Sequence, residues 1–62
     1  MMKMKFYKHW ADNDEEHEVT EEHVRDKLKN CYDDVDLCIT FLKENPGKKI
    51  RNPFAFYYTK EV

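Results

Sequence analysis

Three histidines and two cysteines, His9, His17, His23, Cys31 and Cys38, are the side chains in this chain best suited to hold a metal. Their spacing argues against it. A zinc site draws on Cys-x2-4-Cys pairs or on histidines at i, i+3 or i+4 of one helix, and neither occurs here. His17-Glu18-Val19-Thr20-Glu21 also lacks the second histidine of a metalloprotease helix. The run Asp12-Asn13-Asp14-Glu15-Glu16-His17-Glu18 places acids at alternate positions, as calcium loops do. His17, however, takes the place of the turn glycine and His23 that of the closing glutamate. A weak, unspecific cation site is the most that such a string provides.

Covalent catalysis is no better served. The chain has no serine, and Thr20, Thr40 and Thr59 have no base at a spacing that would activate them. Cys31 and Cys38 fall on an apolar stripe, where a thiol stays protonated and inert. The single glycine, Gly47, excludes a phosphate-cradling loop. Carboxylates are plentiful, but 62 residues offer no sizeable cleft in which to raise the pKa of one. No enzyme, no cofactor and no metal are expected.

The elements that must position these groups follow from periodicity. Residues 1–62 form a single domain, which buries only about 60% of its unfolded surface and so has a thin core. Met2, Met4 and Phe6 alternate with Lys3, Lys5 and Tyr7, the period of a half-buried strand running to about Trp10. Ala11-Asp12-Asn13-Asp14 suits a turn, and Glu16 to Val19 a short returning strand. Thr20 ahead of Glu21 and Glu22 marks a helix start. Val24, Leu28, Cys31, Val35, Cys38 and Leu42 then recur at four, three, four, three and four, which predicts one long central helix ending at Glu44 or Asn45. A competing break at Asp33-Asp34 would start a second helix. Asn45-Pro46-Gly47 stops the last turn. On one unbroken helix Cys31 and Cys38 would lie about 10 Å apart at 1.5 Å per residue, too far for a disulfide, so both are expected to be reduced core residues.

The C-terminal segment 48–60 is rich in aromatics and predicts a strand with Phe54, Phe56 and Tyr58 on one face. Asn52-Pro53 would equally suit a helix start. Seven of the nine aromatic residues lie in the two terminal segments. Pairing these segments over the helix, with Phe6 and Phe56 inward, supplies most of a core. The expected fold is α+β: a small antiparallel sheet, made of an N-terminal strand or hairpin plus the C-terminal strand, packed on one long central helix.

Charge and apolar surface then suggest binding. The net charge of −2 conceals a segment, residues 11–36, in which eleven carboxylates face three bases, flanked by basic and aromatic ends. Such asymmetry fits an electrostatically directed partner, although a charged segment can also simply be solvated. In one expectation Asp12, Asp14, Glu15, Glu16, Glu18 and Glu22 meet a protein with a basic surface. In size, charge and absence of catalytic residues the chain resembles the small acidic proteins that bacteriophages make to inhibit host machinery or defence systems. The resemblance implies a non-enzymatic, often homodimeric inhibitor that occludes its target. Val35, Leu37, Cys38, Ile39, Phe41 and Leu42, too many apolar side chains for one packing face, are the expected homodimer interface.

In the alternative, Lys48, Lys49 and Arg51 hold nucleic-acid phosphates while Tyr57 or Tyr58 stacks on bases, unless those aromatics are core. Asn52-Pro53-Phe54-Ala55-Phe56 resembles a short Asn-Pro-aromatic segment near the ends of some plasmid and phage replication initiators, over about a dozen residues. The N-terminal residues are too few and too charged for a signal peptide, and no run approaches the roughly 18 apolar residues of a membrane span. A cytoplasmic location is expected, in the host if the protein is phage-encoded.

Overall fold

The structure, a computed structural model, describes residues 3–62. Met2, the expected first inward residue, lies outside them. Six elements follow in order: β1 (Met4–Trp10), β2 (Glu16–Val19), α1 (Glu21–Leu28), α2 (Val35–Glu44), β3 (Ile50–Arg51) and β4 (Ala55–Glu61). The strands form one antiparallel sheet in the order β2-β1-β4-β3. The two terminal strands are its centre, paired over seven residues from Met4 opposite Glu61 to Trp10 opposite Ala55.

The long helix is replaced by two short ones of 8 and 10 residues. One helix over residues 21–44 would be about 36 Å long at 1.5 Å per residue. That exceeds the longest dimension of the molecule, 33 Å, and overhangs strands of seven residues, which span about 24 Å. Two halves can both lie on the sheet. Asn30, Asp33 and Asp34 supply the break, because short polar side chains compete for backbone hydrogen bonds. The amides of Cys31 and Tyr32 both donate to the Leu28 carbonyl, closing α1. The Asp34 carboxylate accepts from the Leu37 amide at 3.2 Å and opens α2. Thr20 caps α1 in the same way, accepting from the His23 amide at 3.1 Å.

With the helix broken, Val24 and Leu28 from α1 meet Cys38, Ile39 and Leu42 from α2 over Phe6, Ala55 and Tyr57 of the sheet. Cys31 leaves the stripe and is exposed, whereas Cys38 remains buried. Ion pairs from Arg25 to Asp36 and from Lys43 to Glu21, the latter at 2.7 Å, tie the helices together at their surface. Such exposed pairs contribute at most about 1 kcal/mol each. Asn45 caps α2, and Gly47 turns the chain at φ 88°, a left-handed conformation that only glycine adopts without strain. The Thr59 hydroxyl, fully buried, donates to the Leu42 carbonyl and so satisfies one of the acceptors that the end of α2 leaves open.

Tyr57, not Phe56, faces the helices. Aromatics at 54, 56, 57 and 58 fit either strand face, and a shift of one residue exchanges the two. The choice is made by Ala55 and Thr59, both fully buried, and by Asn52, whose amide donates to the Tyr57 hydroxyl at 3.4 Å. Asn52 also accepts from the amides of Phe54 and Ala55, both at 2.8 Å, shaping the turn from β3 into β4. Among the described residues no helix is long and apolar enough to cross a membrane.

Two outcomes test this packing. A thiol reagent should modify Cys31 within the native protein and Cys38 only on unfolding, since burial excludes reagent and raises the Cys38 pKa. His23, desolvated and beside Lys8 and Lys27, has its pKa lowered from 6.5, so the folded state binds a proton less readily than the unfolded chain. Stability from neutral His23 is therefore complete above pH 6.5 and lost as pH falls through the folded pKa. Melting temperature should drop on acidification below about pH 6.5, with a shallower dependence in His23→Gln.

Candidate functional site

The two helices occupy one face of the sheet, and no helix of the described residues packs on the other. Alternation and register define what that open face carries. Tyr7 pairs with Tyr58 and His9 with Phe56 across the two central strands. Glu18 and Glu16 of β2 stand opposite Tyr7 and His9, and Arg51 of β3 opposite Phe56. Lys5 and Lys60 pair with each other at the end of the same face. A patch of four aromatic rings thus has a carboxylate border on one side and a basic border on the other.

The rings are ordered against one another. Tyr7 and Tyr58 stack with centroids 6.0 Å apart and planes at 22°, His9 and Phe56 at 4.9 Å and 25°. Both His9 and Tyr58 are close-packed, at 9% and 5% exposure, whereas Tyr7 and Phe56 are half-buried and keep ring surface open. His9 Nδ1 lies 3.0 Å from the Trp10 carbonyl and 3.1 Å from that of Asn13. Carbonyls only accept, so Nδ1 carries the proton and Nε2 accepts from Lys49 Nζ at 3.0 Å. The imidazole is thereby fixed in one tautomer.

Cations cover the rings. Lys49 Nζ lies 5.3 Å from the Tyr58 centroid and 5.8 Å from that of Phe56, and the Arg51 guanidinium 5.2 Å from Phe56. Lys60 Nζ lies 5.2 Å from the Tyr7 centroid. These are cation–π distances, worth about 0.5–1 kcal/mol at exposed sites. Lys60 also binds Glu16 at 2.8 Å, and Lys5 binds Glu18 at 3.5 Å. The Tyr58 hydroxyl donates to Glu16. Lys60 foremost, and Tyr58 with it, lowers the Glu16 pKa, while burial and the Glu16 charge push that of Tyr58 well above 10.

The sequence-based site residues are divided by this arrangement. Tyr58, Lys49 and Arg51 come together on or over the open face, Lys48 lies in the turn after α2, and Tyr57 is core. Tyr7, His9, Phe56, Lys5 and Lys60 were missed. Alternation would have found them once β4 was placed in its true register, with Phe56 outward instead of inward beside Phe6. The acidic set does not form one surface. Asp12, Asp14 and Glu15 lie in the exposed loop after β1, Glu16 and Glu18 on the open face, and Glu22 on α1 across the sheet. Of the expected dimer residues, Cys38, Ile39 and Leu42 are spent in the core and Val35 packs against it. Leu37 and Phe41 remain outward, at 66% and 41% exposure.

No group of three or more His, Cys, Asp or Glu is placed to hold a metal among the described residues. A shallow groove near Thr20, His23, Arg25 and Lys29 lies on the helix side, away from the aromatic patch, and its walls mix both charges. Comparison with protein-family models, with curated proteins and with solved structures gives no match.

Two outward side chains fall far short of the roughly 800 Å² per partner that a stable interface buries. Light scattering at micromolar concentration should therefore detect no dimer that depends on Leu37 and Phe41 of α2. Leu37→Asp should leave both mass and melting temperature nearly unchanged, within about 0.5 kcal/mol of stability.

Proposed function

We propose that the protein binds single-stranded nucleic acid on the open face of its sheet. The observation that carries this is the stacked set of Tyr7, His9, Phe56 and Tyr58 on two adjacent central strands, with Lys49 and Arg51, which no carboxylate engages among the described residues, lying over the rings. Every base has a π-face, and stacking on an aromatic side chain contributes about 1–3 kcal/mol per base. A base that displaces Lys49 or Arg51 from Phe56 forfeits about 0.5–1 kcal/mol of cation–π energy. Stacking wins that exchange. The displaced ammonium or guanidinium sits at the end of a flexible side chain and can turn to the adjacent phosphate. Bases inside a duplex keep their faces covered, so a single strand is the ligand that fits.

A second assignment retains the acidic loop. Among the described residues Asp12 and Asp14 make no ion pair with Lys or Arg, and Glu15 meets only His17, at 3.9 Å. These three carboxylates are the contact by which an inhibitor of the phage-encoded class would engage a basic host protein. Either partner goes with a cytoplasmic location, in the host if the protein is phage-encoded.

One experiment separates the two. Fluorescence anisotropy with a labelled oligothymidylate should show binding that weakens with salt, at a log–log slope of about −1.4 for the two phosphate contacts of Lys49 and Arg51 at about 0.7 each. Phe56→Ala should weaken binding about tenfold, the scale of one stacked base. Lys49→Glu with Arg51→Glu should abolish it, and reversal of Asp12, Asp14 and Glu15 to Lys should not. Failure of the wild-type protein to bind, together with loss of a captured protein partner on reversal of the acidic loop, would replace the nucleic-acid assignment with the inhibitor one.

A further inference from the structure

The open face already contains an anion, and it sits where a phosphate would. Glu16 begins β2 opposite His9, yet its carboxylate reaches across the aromatic patch to β4. One oxygen accepts from the Tyr58 hydroxyl and lies 2.8 Å from Lys60 Nζ, and the other accepts from Lys60 at 3.0 Å. An ammonium and a phenol hydroxyl converging on a pair of geminal oxygens would serve two phosphodiester oxygens equally well. The neighbouring Lys5 is likewise held by Glu18. On the other border Lys49 and Arg51 have no carboxylate partner among the described residues and rest only on rings and on His9.

We infer that Glu16 is an intramolecular competitor for the nucleic-acid phosphate, occupying Lys60 and the Tyr58 hydroxyl in the free protein. The inference rests on the nucleic-acid assignment above. It divides the face into an open half, where Lys49 and Arg51 flank Phe56, and a self-occupied half, where Lys60 and Tyr58 are engaged. A strand entering from the β3 border finds free cations and an accessible ring. To extend over Tyr7 it must first displace Glu16, whose charge also repels the incoming phosphate. Glu16 thereby sets both the length of strand held and the affinity with which it is held.

A double-mutant cycle with labelled oligothymidylate tests this, because thymine has no group that titrates near neutral pH and contributes no charge of its own. Glu16→Gln should bind about fivefold more tightly, the scale set by loss of one exposed ion pair. Its salt slope should steepen by about 0.7, one further phosphate contact. Lys60→Ala in the otherwise unchanged protein should alter affinity less than twofold, because Lys60 is already taken. In the Glu16→Gln background the same substitution should erase the whole gain and return the slope. A merely structural Glu16 would move neither the slope nor the coupling.

If the unsubstituted protein binds but Glu16→Gln binds no more tightly, the competitor role is wrong while the nucleic-acid assignment stands. A large loss from Lys60→Ala alone overturns the competitor role as well, and does so even if Glu16→Gln fails to fold. If neither the unsubstituted protein nor Glu16→Gln binds the oligonucleotide, the nucleic-acid assignment falls and the competitor role with it.

Discussion

Because side chains alternate along a strand, placing Tyr57 beneath the two helices sends Phe56, Tyr58 and Lys60 to the opposite surface. Ala55 and Thr59 make the inward choice stable, one by being small and the other by satisfying the Leu42 carbonyl. The register with β1 then propagates it. Thr59 lies opposite Phe6, so Phe6 points inward and Tyr7 and His9 outward. Three buried residues on one strand thus determine which aromatic rings form a core and which form an exposed platform. Burying Phe56 instead would turn the Tyr57 hydroxyl away from Asn52 and bury Lys60 without water, a cost of several kcal/mol for an unpaired charge.

Electrostatics complete what alternation begins. The acidic middle of the chain is flanked by basic ends, and folding brings the three into register instead of leaving them as separate blocks. Glu18 meets Lys5, Glu16 meets Lys60, Glu21 meets Lys43 and Arg25 meets Asp36. Each pair is exposed and adds little to stability. Their effect is on the open face: they use up Glu16 and Glu18, the two carboxylates there of the six that the sequence alone suggests for a partner. What remains unpaired on the open face is cationic, which reverses the sign of the ligand expected there from that suggested by the net charge.

Local signals in the sequence were the dependable ones. Thr20 as a cap, Asn45-Pro46-Gly47 as a stop and the turn after Trp10 follow from short-range chemistry, and the structure contains them, as it does the long-range pairing of the terminal strands that the placing of the aromatics suggests. The helix break was legible only as an alternative. Val24 with Leu28 and Val35 with Cys38 and Leu42 are two stripes whose phases happen to join through Cys31, so periodicity could not separate them. Sheet length could, but it is a tertiary quantity. The two-residue β3 is too short for any periodic signal. The open face was missed because four aromatics within five positions satisfy both strand registers, and the deciding contacts, Asn52 to Tyr57 and Thr59 to Leu42, are not local to either register.

An exposed aromatic sheet face is ordinarily a liability, since uncovered apolar surface invites association. Here the rings are shielded by interactions that are individually weak and easily exchanged: cations over π-faces, a lysine on an imidazole nitrogen, a carboxylate on a phenol. Each costs little to break, which is what distinguishes such a cover from a packed helix. If the face binds nucleic acid as proposed, the same weakness limits what it can achieve. Two open rings that each trade about 0.5–1 kcal/mol for about 1–3 kcal/mol leave only a few kcal/mol, against an association cost of at least about 4 kcal/mol. Phosphate contacts must therefore supply much of the affinity, and they carry no base sequence. On the proposed assignment, a face built this way would hold short strands transiently and with little sequence preference, and contact on neighbouring stretches of one strand, rather than a deeper pocket, is the means by which it would hold them longer.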